Sequence, residues 1–333
     1  MMVERSKKAS PKKLKRITLE LDENEQLYID LKDNYLPLEL YKYYEINDNS
    51  VNSFENTSIY ISHPNQLNDT MEGNLKLWDF CNLFKMMKED GREFNELKEK
   101  NNFCNEYYEK YFEYRGVFCL TKKYQNNLFW PHYTNERGFC IEFDSDIMIK
   151  SITENNVHIE SKYVYPISYE NLNKIDLLEH CSYKISGVYR EFNSNIPSMY
   201  TIAIKDKLWE YEDEWRIIAK SNVPLKDKSF RKLKYDAKSI SRIFLAEKFF
   251  SEDRFICSNE YSKVKKFTFK KEHYEYKNLL VFIDEILKKY NDKIYIIGRI
   301  EKGDIIEKDI EFQIVIKRFD IHSVEVEFKK VSY

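Results

Sequence analysis

Two short blocks carry the residue types from which chemistry is built. The first runs Trp130-Pro131-His132-Tyr133 through Arg137-Gly138 to Cys140-Ile141-Glu142-Phe143-Asp144; the second is Trp209-Glu210-Tyr211-Glu212-Asp213-Glu214-Trp215-Arg216-Ile217-Ile218. Each sets aromatics, carboxylates and a guanidinium into about ten residues that otherwise read as buried strand. Packing alone rarely asks for that mix, because a charge in a core must be paired or it costs several kcal/mol. Half-buried strands with Glu and Arg at alternate positions are more often the wall of a polar pocket.

In an extended strand Glu212, Glu214 and Arg216 share one face, while Tyr211, Asp213 and Trp215 share the other. Arg216 would hold one Glu ionised, leaving the second to bond a ribose hydroxyl or act as a base. The competing reading is a cross-strand salt-bridge ladder that only stabilises the sheet. Glu142, at the end of a separate strand, adds a further carboxylate. His132 is a candidate general base, although a lone His in a turn is more often structural. Tyr133 and Trp130 offer flat faces suited to a nucleobase or nicotinamide ring, or simply to packing.

Several chemistries lack their signatures. No two of the seven glycines form a GxG pair, so neither a P-loop nor a dinucleotide fingerprint is present. There is no GxSxG elbow, no HExxH and no Cys/His cluster with zinc spacing, so no metal site is predicted. Glu275-Tyr276-Lys277 matches a nuclease ExK triplet but has no convincing Asp partner.

The elements that must position these blocks follow from pattern. Leu38–Tyr44 alternates as a strand, and Ser58–Ser62 is a second. His63–Asp69 is turn chemistry. Helical spacing runs from Leu75 to Tyr114, with Gly91 dividing two helices. Gly116–Thr121 is a short strand, Leu128–Asn135 a short helix or loop with Gly138 as its C-cap, and Phe139–Phe143 a strand. Tyr163–Tyr165 is a strand, Leu177–Lys207 mostly helix, and the second block and Ser241–Leu245 are strands. A helix over Leu279–Tyr290 precedes three β-type runs at Ile294–Ile297, Ile310–Lys317 and His322–Val331. This irregular order predicts an α+β fold with a mixed central sheet flanked by helices, the two block strands being neighbours in it.

The 333 residues carry 54 basic and 56 acidic side chains, a net charge of −2 that attracts neither nucleic acid nor an anionic membrane globally. Aromatics make up 16% of the chain, which an ordinary core absorbs. The six cysteines form no CxxC pair, and no apolar run approaches the roughly 20 residues of a membrane helix. The expected setting is cytoplasmic, with reduced, mostly buried thiols. Residues 1–22 read as a basic, disordered arm, with seven Lys and Arg before residue 17. A main α+β domain is expected over 36–250, and a β-rich C-terminal extension of it over 251–333.

Four pieces together resemble a bacterial family, the domain of unknown function 2971. They are Leu40-Tyr41-Lys42-Tyr43, the turn from Ser62 to Asn68-Asp69-Thr70-Met71-Glu72, the first block from Trp130 to Asp144, and the second from Trp209 to Arg216. The resemblance covers residues 36–250, with Thr70 where a Pro is expected. The layout is also distantly similar to ADP-ribosyltransferases of the tRNA-phosphotransferase and DNA-modifying type. That similarity implies an NAD site with Lys42 or Tyr43 in the first position, normally His or Arg. Ser62 would be the second-strand serine, Tyr133 the stacking aromatic, and Glu212 or Glu214 the late catalytic acid.

The expectation is therefore an effector enzyme that transfers ADP-ribose from NAD to a nucleic acid or protein, in a toxin or phage-defence setting. Glu214, Glu212, Tyr133 and His132 would be catalytic, while Lys42, Tyr43, Ser62, Trp130, Glu142 and Arg216 would bind NAD. The alternative is a non-catalytic module that senses a ligand or partner through a polar aromatic pocket. The oligomeric state is not legible in the sequence.

Overall fold

Strands and helices alternate irregularly in a computed structural model that describes residues 18–20, 26–28, 36–69, 71–172, 174–178, 182–185, 188–192, 200–259, 262–302 and 305–331. The class is α+β, with mostly antiparallel sheet and several helices. Most of the basic arm lies outside the described residues; Thr18–Glu20 pairs antiparallel with Gln26–Tyr28. The chain folds as two units of interleaved segments. One comprises residues up to 38, 60–120 and 156–233; the other comprises residues 39–59, 121–155 and 234–333.

The second unit is built on a sheet whose neighbours run Phe255–Ser258, Val264–Phe269, Ser323–Lys330, Ile305–Phe319, Ile294–Lys302, Ile240–Leu245, Phe139–Asp144 and Glu39–Tyr44. Only Ile240–Leu245 and Ile294–Lys302 pair in parallel, so the sheet is mixed. Leu40, Cys140, Phe143 and Phe244 are buried on these strands, and residues 139–143 are buried on both faces of the sheet. The helix Tyr276–Lys289 lays Phe282 on Phe139, with ring centroids 4.4 Å apart. The helix Asp48–Glu55 begins with a capping box, in which Ser50 N donates to Asn47 Oδ1 at 3.0 Å and Asn47 N to Ser50 Oγ at 3.1 Å.

In the first unit Glu214–Ser221 lies between Arg115–Thr121 and Ile159–Pro166. The helices Cys81–Glu89 and Leu97–Phe112 flank Gly91, whose φ of 83° ends the first as expected. Their apolar faces join Leu77, Trp78, Val117 and Ile218 in one core. Trp78 is anchored by Nε1 donating to Thr201 Oγ1 at 2.5 Å.

Four expectations need correction. Leu177–Lys207 is not mostly helix: the described residues there include the strands Ser182–Ile185, Val188–Phe192 and Ile204–Asp206, the last paired in parallel with Ser168–Glu170. The sequence between the first two reads Ser186-Gly187, which opposes a continuous helix. The block strands are not neighbours, since Phe139–Asp144 pairs with Ile240–Leu245 and Glu39–Tyr44, and Glu214–Ser221 pairs with Ile159–Pro166. Among the described cysteines only Cys140 is buried, and Cys81 and Cys257 are exposed. The helix Phe129–Thr134 is capped by Asn135 at φ 51°, not by Gly138. Gly138 serves instead where the chain passes close to Tyr44, because a Cβ there would lie 2.0 Å from the Tyr44 carbonyl oxygen.

Gly138→Ala should therefore destabilise the protein by about 1–3 kcal/mol, since the obstacle is backbone that cannot rotate away. Chemical denaturation would register this as a lower midpoint at unchanged slope. A wild-type midpoint would mean that the strand entry yields freely.

Candidate functional site

The second block does not run as one strand. Asp206 caps a short 3-10 helix, Lys207–Glu212, by accepting from Leu208 N at 2.9 Å. Asp213 then turns left-handed at φ 48°, a conformation that a short polar side chain tolerates. The strand proper starts at Glu214, whose N–H donates to Tyr169 Oη at 2.8 Å. Glu212 and Glu214 thus lie on two sides of a turn rather than at alternate positions of a strand. Even so, both side chains are buried and reach the same cation.

That cation is Lys205. Its Nζ lies 2.5 Å from Glu212 Oε2, 3.2 Å from Glu214 Oε2 and 3.7 Å from Glu72 Oε1. Arg216, only 1% exposed, donates from Nε to Glu214 Oε1 at 2.7 Å and from Nη2 to Glu214 Oε2 at 3.0 Å. Its Nη1 donates to the Ile202 carbonyl at 2.7 Å, and its Nη2 also bonds Glu72. The fork geometry of a guanidinium meets a carboxylate through two parallel bonds, as it does here with Glu214.

Glu72 enters from the turn that the sequence reading placed at 62–72. Met71 N donates to Asp69 Oδ1 at 2.9 Å and Glu72 N to Asp69 O at 3.1 Å. Gly73 completes the turn at φ 57°, where a Cβ would lie 2.2 Å from the Pro64 carbonyl, and only glycine fits. Gly73 N donates at 3.3 Å to the Thr201 carbonyl, tying the turn to the segment that carries Lys205.

Burial and charge divide the carboxylates. Burial would raise Glu214, but Arg216 first and Lys205 next outweigh it and hold the carboxyl down at about 2. For Glu72 burial wins over Arg216 and Lys205, with Glu214 adding to the rise. Burial also works against the charge on Lys205 and Arg216, yet the surrounding carboxylates keep both cations firmly protonated.

In the second unit the first block lies mostly in the core. Trp130 is buried, its Nε1 donating to the Tyr124 carbonyl at 3.0 Å, and Tyr43 meets its ring edge-on at 4.9 Å. The Tyr43 hydroxyl donates to the Tyr124 carbonyl at 2.6 Å. Tyr133 is half-buried, edge-on to Phe129 at 5.0 Å, and exposed His132 is edge-on to Tyr133 at 4.8 Å. Lys42 is half-buried and pairs in register with Ile141. Glu142 accepts from Arg242 Nη2 at 2.6 Å and from the Tyr41 hydroxyl at 3.0 Å. Arg242 reaches Glu311 at 3.3 Å and lies over the Phe244 ring at 4.8 Å. Glu275, from the nuclease-like triplet, receives Arg254 Nε at 2.6 Å.

The structure therefore brings Glu212, Glu214 and Arg216 together in one unit, and Tyr43, Trp130 and Tyr133 together in the other. Ser62 belongs to the first unit, in an isolated bridge with Val117. Sequence reasoning missed Lys205, Arg242 and Glu311 as partners and took Glu72 only as part of a turn. The available signal was a lone cation in an apolar run: Lys205 after Ile202-Ala203-Ile204, and Arg242 within Ile240–Leu245. Among the described residues no group of three or more His, Cys, Asp and Glu is placed to hold a metal, and no helix is long and apolar enough to cross a membrane.

The model of a family described as a protein of unknown function (DUF2971) matches residues 129–217. The match contains the first block, the second as far as Ile217, Lys205 and Arg216; Glu72, Ser62 and the Leu40–Tyr43 strand lie outside it. Comparison with curated proteins and with solved structures gives no match.

Glu214→Gln should cost about 3–5 kcal/mol, because it leaves Arg216 buried with its bidentate partner neutralised. Glu72→Gln should cost much less, since burial already favours the neutral form at that position. The folded-state value of Glu214 lies below its ordinary 4.5, so its contribution is present above that pH and lost as pH falls toward about 2. Glu72 has the opposite sign: raised in the fold, it favours the folded state at low pH and loses that advantage as pH rises through its folded value. Melts of the two variants from pH 3 to 8 test the assignment. Equal losses would show that the two carboxylates are not distinguished.

Proposed function

We propose that the chain is a non-catalytic module that senses a ligand or partner, and that the second block is its structural keystone. One observation carries this reading. Glu212, Glu214 and Arg216 are buried, and each is already engaged by a group of opposite charge. A general acid or nucleophile must reach the atom on which it acts, within hydrogen-bond distance or through one water. A carboxylate held at about 2 by a bidentate guanidinium is also a weak base. The fixed hydrophobic setting of Tyr43 and Trp130 supports the same reading, since their polar atoms are spent on backbone carbonyls.

Transfer of ADP-ribose from NAD to a nucleic acid or protein is the second reading, and a different observation favours it. Glu72 and Glu214 share Arg216 and Lys205, yet their proton affinities are driven in opposite directions. Such a split is how one site assembles an acid and a base. On this reading the ion pairs open when NAD enters, and Glu214 is released to polarise the ribose.

Incubating the purified protein with labelled NAD, cell lysate and nucleic acids separates the two. The expected result is no NAD consumption and no label transfer, in wild type and in Glu214→Gln alike, with the variant distinguished by its lower melting temperature. Label transfer by wild type that Glu214→Gln abolishes, at a temperature where the variant remains folded, would overturn the sensing reading and install the transferase.

A further inference from the structure

The first unit holds an open cleft of about 620 Å³ whose residues the ion-pair cluster does not use. The volume falls in the range of small-molecule sites, roughly 300–1,000 Å³. Its floor includes Arg231, which is 5% exposed. Arg231 Nη1 donates to the Ile61 carbonyl at 3.2 Å, and Ile61 N donates to the Arg231 carbonyl at 2.9 Å. No carboxylate pairs with this guanidinium among the described residues. A buried charge without a counter-ion is costly, and a guanidinium has five N–H donors to satisfy. His63 lies in the same cleft, and its buried Nε2 has no hydrogen-bond partner; the nearest acid, Glu109, is 3.8 Å away.

The lining is polarised. The Leu225–Arg231 segment supplies Lys226 and Lys228 beside Arg231, so three formal positive charges come from one side. The Leu97–Phe112 helix and its cap supply Glu106, Glu109 and Glu113, spaced along one face, with Lys110 among them. The two sides are fastened where Leu225 N donates to the Glu113 carbonyl at 2.7 Å. A fork-shaped buried cation flanked by two lysines matches a dianion better than a single carboxylate does. Facing carboxylates accept from hydroxyl or amino donors.

We propose that this cleft binds a small phosphorylated ligand, its phosphoryl group on Arg231 and His63 and its hydroxyl or amino groups on the Glu106–Glu113 face. The proposal rests on the sensing reading for its biological meaning, while binding itself is tested independently. Nucleotides and sugar phosphates share the required chemistry.

Calorimetric titration of the whole chain with inorganic phosphate, ribose 5-phosphate, AMP, ADP and NAD, against ribose and adenosine, tests it. The expected result is binding of at least one phosphorylated probe and none by ribose or adenosine at the same concentrations. Arg231→Gln should weaken that binding by about ten- to a hundredfold. In case that buried substitution unfolds the chain, the exposed pair Lys226→Ser and Lys228→Ser is the second variant, expected to bind several-fold more weakly and to lose the salt dependence of wild type. Preference for AMP and ADP over ribose 5-phosphate would assign a nucleotide, and the reverse a sugar phosphate. The proposal is overturned if no phosphorylated probe binds, if adenosine binds as tightly as AMP, if folded variants bind like wild type, or if a single-stranded oligonucleotide outcompetes every small probe. Failure here with no NAD consumption leaves the sensing reading standing. Glu214-dependent NAD consumption removes that reading whatever the cleft binds.

Discussion

The first unit depends on one buried guanidinium. Arg216 is almost wholly removed from water and recovers its lost hydration from Glu214, from Glu72 and from the Ile202 carbonyl. These partners come from the strand that carries Arg216, from the Asp69–Gly73 turn and from the segment leading to Lys205. A hydrophobic contact would accept many neighbours, whereas a buried guanidinium accepts only those that satisfy its N–H groups in their plane. The turn at 69–73, the parallel pairing of Ile204–Asp206 and the left-handed Asp213 are therefore not independent features. Each places an acceptor or a cation where Arg216 and Lys205 require it.

The second unit meets the same problem with different means. Arg242 is also shared between two carboxylates, Glu142 and Glu311, but it is partly exposed and lies among the rings of Tyr124, Phe244 and Tyr295 at 5.6, 4.8 and 5.7 Å. Aromatic faces contribute to holding that cation, and part of its side chain remains exposed. Around Arg216 the compensation is almost entirely ionic, so removing its bidentate partner Glu214 is severe, and removing a carboxylate from Arg242 is milder. This contrast separates the two motif blocks, which look alike as sequences. Glu142, itself buried, pairs with a partly exposed cation set among aromatic rings, and Glu214 pairs with two buried cations.

Much of the fold was legible because the signals were local. The strands at 39–44, 139–144 and 240–245, the helices divided by Gly91 and the C-terminal helix all follow from period and punctuation. Where tertiary partners override local pattern, the reading failed. The Leu177–Lys207 stretch has helix-like spacing, but Ile204–Asp206 is extended because it pairs with Ser168–Glu170. The candidate site was legible as a set of unusual residues and not as a geometry. Alternation put Glu212, Glu214 and Arg216 on one strand face, and the left-handed Asp213 breaks that alternation while still delivering both carboxylates to Lys205. Lys205 and Glu72 were invisible as partners because ion pairing across 7 to 144 residues leaves no periodic trace.

The matched segment, residues 129–217, divides the ion-pair cluster from the cleft. It contains Lys205, Glu212, Glu214 and Arg216 and therefore most of the keystone. It omits Glu72, so the carboxylate whose proton affinity is raised comes from elsewhere in the chain. It also omits His63, the Glu106–Glu113 face and the Lys226–Arg231 segment, which together line the open cleft. The matched segment supplies Lys205, Glu212, Glu214 and Arg216, and the cleft lined by Arg231 is assembled from residues on either side of it. A scaffold fixed by internal ion pairs leaves the surface around it chemically open. Arg231 differs from Arg216 in this respect: Arg216 is met by the carboxylates of Glu214 and Glu72, whereas Arg231 bonds the Ile61 carbonyl, pairs with no carboxylate among the described residues and lines an open cleft.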